Sequence, residues 1–105
     1  MSRSPIITNP DWLENEHAGI LLVSEFMEPL NLSVKALATA LQAPVELLEA
    51  VISGKTAMSA ELDLRLSRYF GVSEGFFMRL QIQYELLEAK RALNGELDRI
   101  VPRAA

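Results

Sequence analysis

Residues 33–56 combine hydroxyls, lysines and carboxylates at the spacing of two short helices. Lysine ammonium groups and hydroxyls at a helix N-terminus bind phosphate, whereas carboxylates repel it. The two basic residues of this segment are Lys35 and Lys55, and its two acidic residues are Glu46 and Glu49, so its formal charge is zero. Because few phosphates would be neutralised here, any binding to a nucleic-acid backbone should be modest and should depend only weakly on salt concentration.

A catalytic centre is poorly supported by the residue types. His17 is the only histidine and cysteine is absent, so the chain lacks the residues for a histidine-paired nucleophile or a thiolate metal site. No Gly-rich phosphate loop is present. Glu46 and Glu49 could act as an acid–base pair, but they fall on a helix face that we expect to be solvated. The sequence therefore predicts no enzyme, with no catalytic residue, no cofactor and no metal site.

Composition favours one compact domain in the cytoplasm. The chain has 105 residues, of which 50% are hydrophobic, and this length suits a single core. Its net charge of −4 argues against a sequence-independent coat on nucleic acid, which needs clustered Lys and Arg. The absence of cysteine fits a reducing compartment. No apolar run resembles a signal peptide or a membrane span of roughly 20 residues, so we expect no membrane association.

Helical periodicity divides the chain into five helices, and no strand or hairpin pattern occurs. The first helix begins near His17 and ends near Pro29, because proline disrupts a helix interior. Its predicted core-facing stripe consists of apolar residues at helical spacings, namely Ile20, Val23, Phe26, Met27 and Leu30.

The second and third helices form a closely spaced pair. Ser33 is the predicted N-cap of the second helix, and Pro44 suits the first turn of the third. The turn between them falls at Gln42 and Ala43, and Gly54 offers a left-handed end to the third helix. The predicted inner residues are Val34, Leu37, Ala38, Leu41, Leu48, Val51 and Ile52. Two short helices joined by so tight a turn are typical of a helix-turn-helix, although many small helical bundles share this spacing.

Two further helices complete the predicted fold. The fourth should begin after Ser59 and end at Gly71, and its predicted buried residues are Leu62, Leu66, Tyr69 and Phe70. Ser73 is the predicted cap of the long fifth helix. One apolar side of that helix contains Phe76, Phe77, Leu80, Tyr84 and Leu87, and Ile82, Leu86 and Leu93 widen it. So broad a stripe favours a homodimer interface, and complete burial within the chain is the alternative.

The segment before the first helix is both apolar and acidic. Its apolar residues are Ile6, Ile7, Trp12 and Leu13, and its acidic residues are Asp11, Glu14 and Glu16. Such a segment suits a basic protein partner, because tryptophan anchors interfaces and carboxylates steer association. The alternative is that Trp12 and Leu13 only cover the end of the first helix.

Several motifs within residues 17–90 occur in the order of a known family. They are His17-x-Gly19, Glu28-Pro29-Leu30, Ser33 with Leu37-Ala38, Ser53-Gly54-Lys55, the sequence RLSRYFGVS, Phe76-x-x-x-Leu80-Gln81 and Tyr84-x-Leu86. In these motifs the chain resembles the HigA-type antitoxins, which include virulence-associated protein I and belong to the Cro/C1 (XRE) helix-turn-helix regulators. The resemblance implies an all-α fold, a five-helix lambda repressor-like helix-turn-helix domain with a long fifth helix.

The resemblance also implies a function. Family members are small dimeric antitoxins that bind double-stranded operator DNA, repress their own operon and sequester a basic toxin, typically a ribosome-dependent mRNA endonuclease. The DNA-binding residues would be Ser33, Lys35, Thr39, Val45, Glu46, Leu47, Glu49, Ala50, Lys55 and Thr56. The toxin would bind Ile6, Ile7, Trp12 and Leu13, and the dimer interface would contain Phe76, Phe77, Leu80, Tyr84 and Leu87.

The third helix departs from the family pattern. Relatives usually carry Ser, Thr, Gln, Asn or Arg at several positions of its exposed face, whereas Leu47 and Ala50 offer at most methyl contacts to thymine. Glu46 could accept a hydrogen bond from cytosine N4, but phosphates repel its charge. The alternative hypothesis is an interaction protein of the same fold with weakened or lost DNA binding. We expect an N-terminal arm at residues 1–16, a helix-turn-helix domain including the dimerising helix at 17–93, and a tail at 94–105.

Overall fold

The structure is a computed structural model that describes residues 14–104, and within this range it contains helices and no strand. The α-helices are α1 (Ala18–Leu22), α2 (Val34–Leu41), α3 (Val45–Ile52), α4 (Ala60–Phe70) and α5 (Phe76–Leu93). A π-helical turn, Val23–Met27, continues α1, and a short 3-10 helix, Glu96–Arg99, follows α5. The predicted all-α, five-helix fold with a long fifth helix is confirmed.

The π-helical turn changes which side chains of the first helix reach the core. The amide of Glu28 donates to the carbonyl of Val23 at 2.9 Å, a bond that spans five residues instead of four. The buried residues Ala18, Leu22 and Met27 are accordingly separated by four and then five positions. The prediction of the core-facing residues assumed a regular helical period. It was wrong for Ile20 and Leu30, which are 38% and 63% exposed.

The core lies where the helices converge, and every α-helix contributes to it. Its buried apolar residues are Ala18, Leu22, Met27, Leu37, Ala38, Leu41, Leu48, Val51, Met58, Leu62, Leu66 and Phe77. The predicted ends of the middle helices are confirmed, because the hydroxyls of Ser33 and Ser59 accept helix N-terminal amide bonds and Gly54 and Gly71 have positive φ. Tyr69 was predicted to be buried, but it is 46% exposed.

Aromatic rings join the first, fourth and fifth helices. The Phe26 ring lies 5.0 Å from that of Phe70, 5.7 Å from that of Phe76 and 5.1 Å from that of Phe77, measured between centroids. Such tilted and edge-on aromatic pairs stabilise a core beyond the area that they bury. Phe77 has no exposed surface, which leaves nothing for a second protomer to contact. Its assignment to the dimer interface is therefore corrected to a role in the core.

A carboxylate of α4, and not the predicted Ser73, caps the N-terminus of α5. The Oδ2 atom of Asp63 accepts from the Gly75 amide at 2.7 Å, and its Oδ1 atom accepts from the amides of Phe77 at 2.7 Å and Met78 at 3.0 Å. Asp63 is only 2% exposed. A buried negative charge is stabilised here because it satisfies helix-terminal N–H groups that have no intrahelical partner. The hydroxyl of Ser73 instead accepts from the Arg79 guanidinium.

The carboxylate of Asp63 should be a major contributor to stability. Replacing it in Asp63→Ala leaves three backbone donors without their acceptor, which should lower the free energy of unfolding by at least about 3 kcal/mol. Asp63→Asn retains one acceptor oxygen and should lie between the wild type and the alanine variant. Urea unfolding followed by circular dichroism at a fixed protein concentration measures both, with the exposed Asp98→Ala as control. An Asp63→Ala chain as stable as the Asp98→Ala control would contradict this account.

Candidate nucleic-acid interface

The two helices α2 and α3 pack through their inner faces and are joined by a left-handed turn. Gln42 ends α2 with a φ of 56°, and the Ala43 amide donates to the Ala38 carbonyl at 3.0 Å. Leu41 and Leu48 are buried on opposite sides of this turn. The arrangement is the helix-turn-helix predicted from the sequence, with the outer face of α3 turned toward solvent.

Two carboxylates dominate the solvent-facing side of α3. Glu46 and Glu49 are exposed, whereas Val45, Leu47 and Ala50 are half-buried. Val45 and Leu47 also pack against the core, so only part of each side chain is available to a ligand. Glu46 lies in the first turn of α3, where a negative charge also stabilises the helix dipole. Because three of the five predicted contact residues of α3 are half-buried, the surface that α3 presents to solvent is narrower and more acidic than the sequence indicated.

The candidate residues for phosphate contacts flank this surface, and all of them are exposed. They are Ser33, Lys35 and Thr39 in and before α2, with Lys55 and Thr56 after α3. The Ser33 hydroxyl accepts from the Ala36 amide at 3.0 Å, so its own proton remains available to donate to an anion. Among residues 14–104, neither lysine forms an ion pair. The site thus combines two lysines and three hydroxyls that can donate to an anion with two carboxylates.

The C-terminal end of α3 is held by a close approach of α1. A Cβ atom on Gly19 would lie 2.1 Å from the carbonyl oxygen of Val51, so no larger residue fits without moving the two helices apart. The adjacent His17 accepts from the Gly19 amide through Nδ1 at 3.1 Å, and its ring meets Tyr84 edge-on at 5.8 Å. His17 is therefore a structural residue that joins α1 to α5.

Arg65 holds the turn of the helix-turn-helix, a role that sequence reasoning missed. Its Nη1 atom donates to the carbonyl oxygens of Leu41 at 2.9 Å and Gln42 at 3.3 Å. Its Nε and Nη2 atoms donate to the Glu61 carboxylate at 3.3 Å and 3.1 Å. The i, i+4 spacing of Glu61 and Arg65 predicts their ion pair, but no local pattern indicates the contact with α2, which is 24 residues away.

The residues of the predicted dimer face on α5 are buried or half-buried within the protomer. Phe76 and Leu80 are half-buried and pack against the core of the same protomer. Tyr84 and Leu87 are also half-buried. The side chains with the largest free apolar surface on this helix are instead Ile82 and Leu86, which are 48% and 57% exposed. These two were predicted only to widen the stripe.

The predicted toxin-binding residues Ile6, Ile7, Trp12 and Leu13 lie outside the described residues. The described chain begins beside them at Glu14, and the next residue, Asn15, is fixed to α5. Its Nδ2 atom donates to the Tyr84 carbonyl at 2.8 Å and to the Glu88 carboxylate at 3.1 Å. Sequence reasoning did not single out Asn15, because one asparagine before a helix start gives no signal of a contact 69 residues away.

In the described part of the chain, no three His, Asp or Glu side chains gather where they could hold a metal ion. Nor does any described helix combine the length and the apolar character required to cross a bilayer.

The fold and the exposed α3 define a helix-turn-helix protein of the Cro/C1 type, and comparison with known proteins identifies the family. Over 75 residues the chain is 32% identical to virulence-associated protein I of Dichelobacter nodosus. The matched segment covers 71% of this chain and 69% of that protein. No family model matches the chain.

Two solved structures of proteins with operator or promoter DNA also contain a chain similar to this one. The structure of PA4674 of Pseudomonas aeruginosa in complex with its operator DNA has a TM-score of 0.82 and 32% identity, covering 88% of this chain and 98% of that chain. The structure of Pseudomonas aeruginosa antitoxin HigA with the higBA promoter has a TM-score of 0.77 and 29% identity, covering 88% and 100%. The chain belongs to the HigA-type antitoxins of the Cro/C1 (XRE) helix-turn-helix family.

Proposed function

We propose that the chain is a dimeric antitoxin of a HigBA-like type II toxin–antitoxin system, which binds its own operator as a repressor and neutralises an mRNA endonuclease. The observation that carries the DNA-binding part is the exposed outer face of α3 in a fold similar to that of PA4674, whose structure holds operator DNA. The residues of this chain determine how such binding would work.

In this proposal, α3 is the recognition helix and enters the major groove. Ala50 and the accessible part of Leu47 contact thymine methyl groups, and Glu46 accepts a hydrogen bond from cytosine N4. Lys35 and Lys55 contact phosphates and so fix the register of the helix on the duplex. With so few cations per protomer, specific binding depends on a correctly placed recognition helix more than on charge.

A homodimer supplies the affinity that one such module lacks. Two copies related by a two-fold axis double the contacts and read half-sites about one helical turn apart, roughly 34–36 Å. We propose that the exposed apolar surface of α5 around Ile82 and Leu86 forms this interface, with Tyr84 and Leu87 at its edge. Single exposed apolar residues are ordinary, but two on one helix favour an interface.

Toxin binding is assigned to the arm at residues 1–16, ahead of the helix-turn-helix domain at 17–93 and the tail at 94–105. The supporting observations are the apolar-plus-acidic composition of the arm and the contacts of Asn15 with Tyr84 and Glu88. Because Asn15 ties the end of the arm to α5, the toxin would bind away from the outer face of α3. The same protomer would then contact toxin and DNA on separate surfaces. We propose no enzymatic activity for the chain.

The exposure of Glu46 and Glu49 favours a second candidate, an interaction protein of the same fold that has lost DNA binding. Within the described residues, neither carboxylate has a cationic side chain bound to it. Beside DNA, both charges would face phosphates in a solvent that screens them only partly. The two candidates share the fold and the dimer, and they differ in whether the upstream DNA is preferred over other duplexes.

A fluorescence-anisotropy titration with the upstream DNA and a scrambled duplex tests operator binding. We expect the wild type to prefer the upstream DNA at physiological salt. Lys35→Ala and Lys55→Ala should weaken binding to both duplexes by similar factors, and each lost phosphate contact should reduce the salt slope by about 0.9. Lys90→Ala, which removes an exposed charge from α5, is the matched control. The absence of any preference for the upstream DNA at low salt would refute operator binding.

The carboxylates of α3 should limit DNA affinity by repelling phosphate. The double variant Glu46→Gln with Glu49→Ser removes both charges and should raise affinity roughly tenfold at low salt, with a smaller gain at high salt. Glu96→Gln with Asp98→Ser removes two exposed charges from the region after α5 and serves as control. Unchanged or lower affinity of the Glu46/Glu49 variant would show that these carboxylates do more than repel the duplex.

Charge placed on the exposed face of α5 should break the dimer. Leu86→Asp introduces a carboxylate twice at a two-fold interface, and a cost of about 1.4 kcal/mol at each site would raise the dissociation constant roughly a hundredfold. Sedimentation velocity measures the change. Leu64→Asp, at a similarly exposed position of α4, is the control. Dimers that persist in Leu86→Asp but not in Leu64→Asp would move the interface from α5 to α4.

Trp12 should anchor the toxin. Because it is the only tryptophan of the chain, its replacement removes the intrinsic fluorescence signal, so isothermal titration calorimetry measures binding of the partner toxin to the wild type and to each variant. Trp12→Ala should weaken toxin binding roughly thirtyfold or more, the size of an interface hot spot, and should abolish protection of growth on co-expression. Trp12→Phe should retain most of both, and neither change should alter DNA affinity. Full toxin neutralisation by Trp12→Ala would exclude this residue as an anchor.

A further inference from the structure

Arg65 connects α4 to the turn through which α2 leads into α3. Its guanidinium donates to two successive carbonyls of that turn, those of Leu41 and Gln42, at 2.9 Å and 3.3 Å. The Glu61 carboxylate, one turn earlier on α4, accepts from two other nitrogens of the same group. Each of the three guanidinium nitrogens therefore donates at least one hydrogen bond, and the group cannot rotate without losing one of them.

The turn that Arg65 contacts carries a conformational strain. Gln42 has a φ of 56°, in the left-handed region that side chains other than glycine rarely occupy. The last carbonyls of α2 also lack intrahelical donors and carry the partial negative charge of a helix C-terminus. A cation that donates to these carbonyls stabilises both the end of α2 and the strained residue. Glycine at this position would relieve the strain, but the bonds from Arg65 to the two backbone carbonyls are what connect the turn to α4.

The position of α3 depends on this turn. Only Ala43 and Pro44 separate Gln42 from the first residue of α3, so a rotation at Gln42 moves the whole N-terminal end of α3. Glu46 and Leu47, which would contact bases, lie in that first turn. Groups that read DNA bases need their positions held to within about 0.5 Å. The C-terminal end of α3 is fixed separately, by the contact of Gly19 with Val51.

We propose that Arg65 is a positioning residue for DNA recognition, which sets the angle of the recognition helix by clamping the α2–α3 turn to α4 without touching DNA. The inference rests on the proposed operator binding. It assigns a part in sequence specificity to a residue outside the recognition helix. Substitution of Arg65 would reduce the preference for the operator over other duplexes more than it would reduce the electrostatic attraction to DNA in general.

Two other roles for Arg65 make different predictions. If its guanidinium bound a DNA phosphate, its removal would weaken binding to every duplex equally and would reduce the salt slope by about 0.9 for each lost contact. If it only stabilised the fold, its removal would lower the unfolding free energy and leave the affinity of the folded fraction unchanged. Its hydrogen bonds argue against the first role, since each of the three guanidinium nitrogens already donates to an acceptor within the protein.

The test compares Arg65→Met and Arg65→Lys with Arg68→Met. Methionine keeps the apolar stem of the arginine without its donors, and lysine keeps one donor group for the Leu41 carbonyl but loses the paired bonds to Glu61. Arg68 lies one turn further along α4, is exposed, and forms no hydrogen bond or ion pair within the described residues, so it controls for the loss of a positive charge. Affinity for the upstream and scrambled duplexes is measured by anisotropy over a range of salt concentrations, at protein concentrations corrected for the folded fraction by urea unfolding.

Arg65→Met should lower affinity for the upstream duplex roughly tenfold, the cost of about one mismatched base pair, with little change for the scrambled duplex and an unchanged salt slope. Arg65→Lys should recover part of the preference, and Arg68→Met should keep all of it. An equal loss on both duplexes with a reduced salt slope, or an unchanged preference in Arg65→Met, would overturn the proposal. If Arg65→Met does not fold, full preference in Arg65→Lys overturns it by itself. If the wild type itself shows no preference for the upstream duplex, the proposed operator binding is refuted. A wild-type preference that Arg65→Met keeps in full refutes only the positioning role of Arg65.

Discussion

The buried carboxylate of Asp63 is the interaction on which the remaining architecture depends. It accepts amide hydrogen bonds from the N-terminus of α5 while lying on α4 among apolar side chains, so it fixes where the long helix starts and how it leaves the core. The start of α5 in turn places Phe77 in the core and directs Ile82 and Leu86 outward. The burial of one charge thus influences both the packing of the domain and the apolar surface of α5 that is proposed as the dimer interface.

On the opposite side of α4, Arg65 links the same helix to the helix-turn-helix. Between them, Asp63 and Arg65 make α4 one of the elements that relate the proposed dimer helix to the recognition helix, because each is fixed to a different neighbour of α4. This rigid relation matters for a chain whose outer α3 face is acidic. When phosphate attraction is small, the proposed dimer would depend more on the spacing and angle of its two recognition helices, because both must fit the operator to contact its bases.

The sequence predicted those features that local physics determines. Ser33 and Ser59 precede helices as caps, Gly54 and Gly71 end them, and the inner residues of α2 and α3 follow the helical period. The π-helical turn after α1, the cap by Asp63 and the clamp by Arg65 were not predictable in this way. Each depends on residues brought together by tertiary packing, and an aspartate in a first helical turn looks the same in sequence whether it faces water or another helix. The exposure of Ile82 and Leu86 was not predictable for a related reason. A broad apolar stripe on a helix does not show which of its residues are buried within the same protomer.

Hydroxyl-radical footprinting of the full chain on its own upstream DNA reports binding, dimer geometry and position in one experiment. A dimeric operator-binding protein should protect two short segments whose centres lie about one helical turn apart, roughly 10–10.5 base pairs, and both should appear at the same protein concentration. Protection spread evenly along the duplex, or none at concentrations that saturate anisotropy, would contradict this expectation. The helix-turn-helix would then be the scaffold of a protein-binding antitoxin and not a reader of DNA.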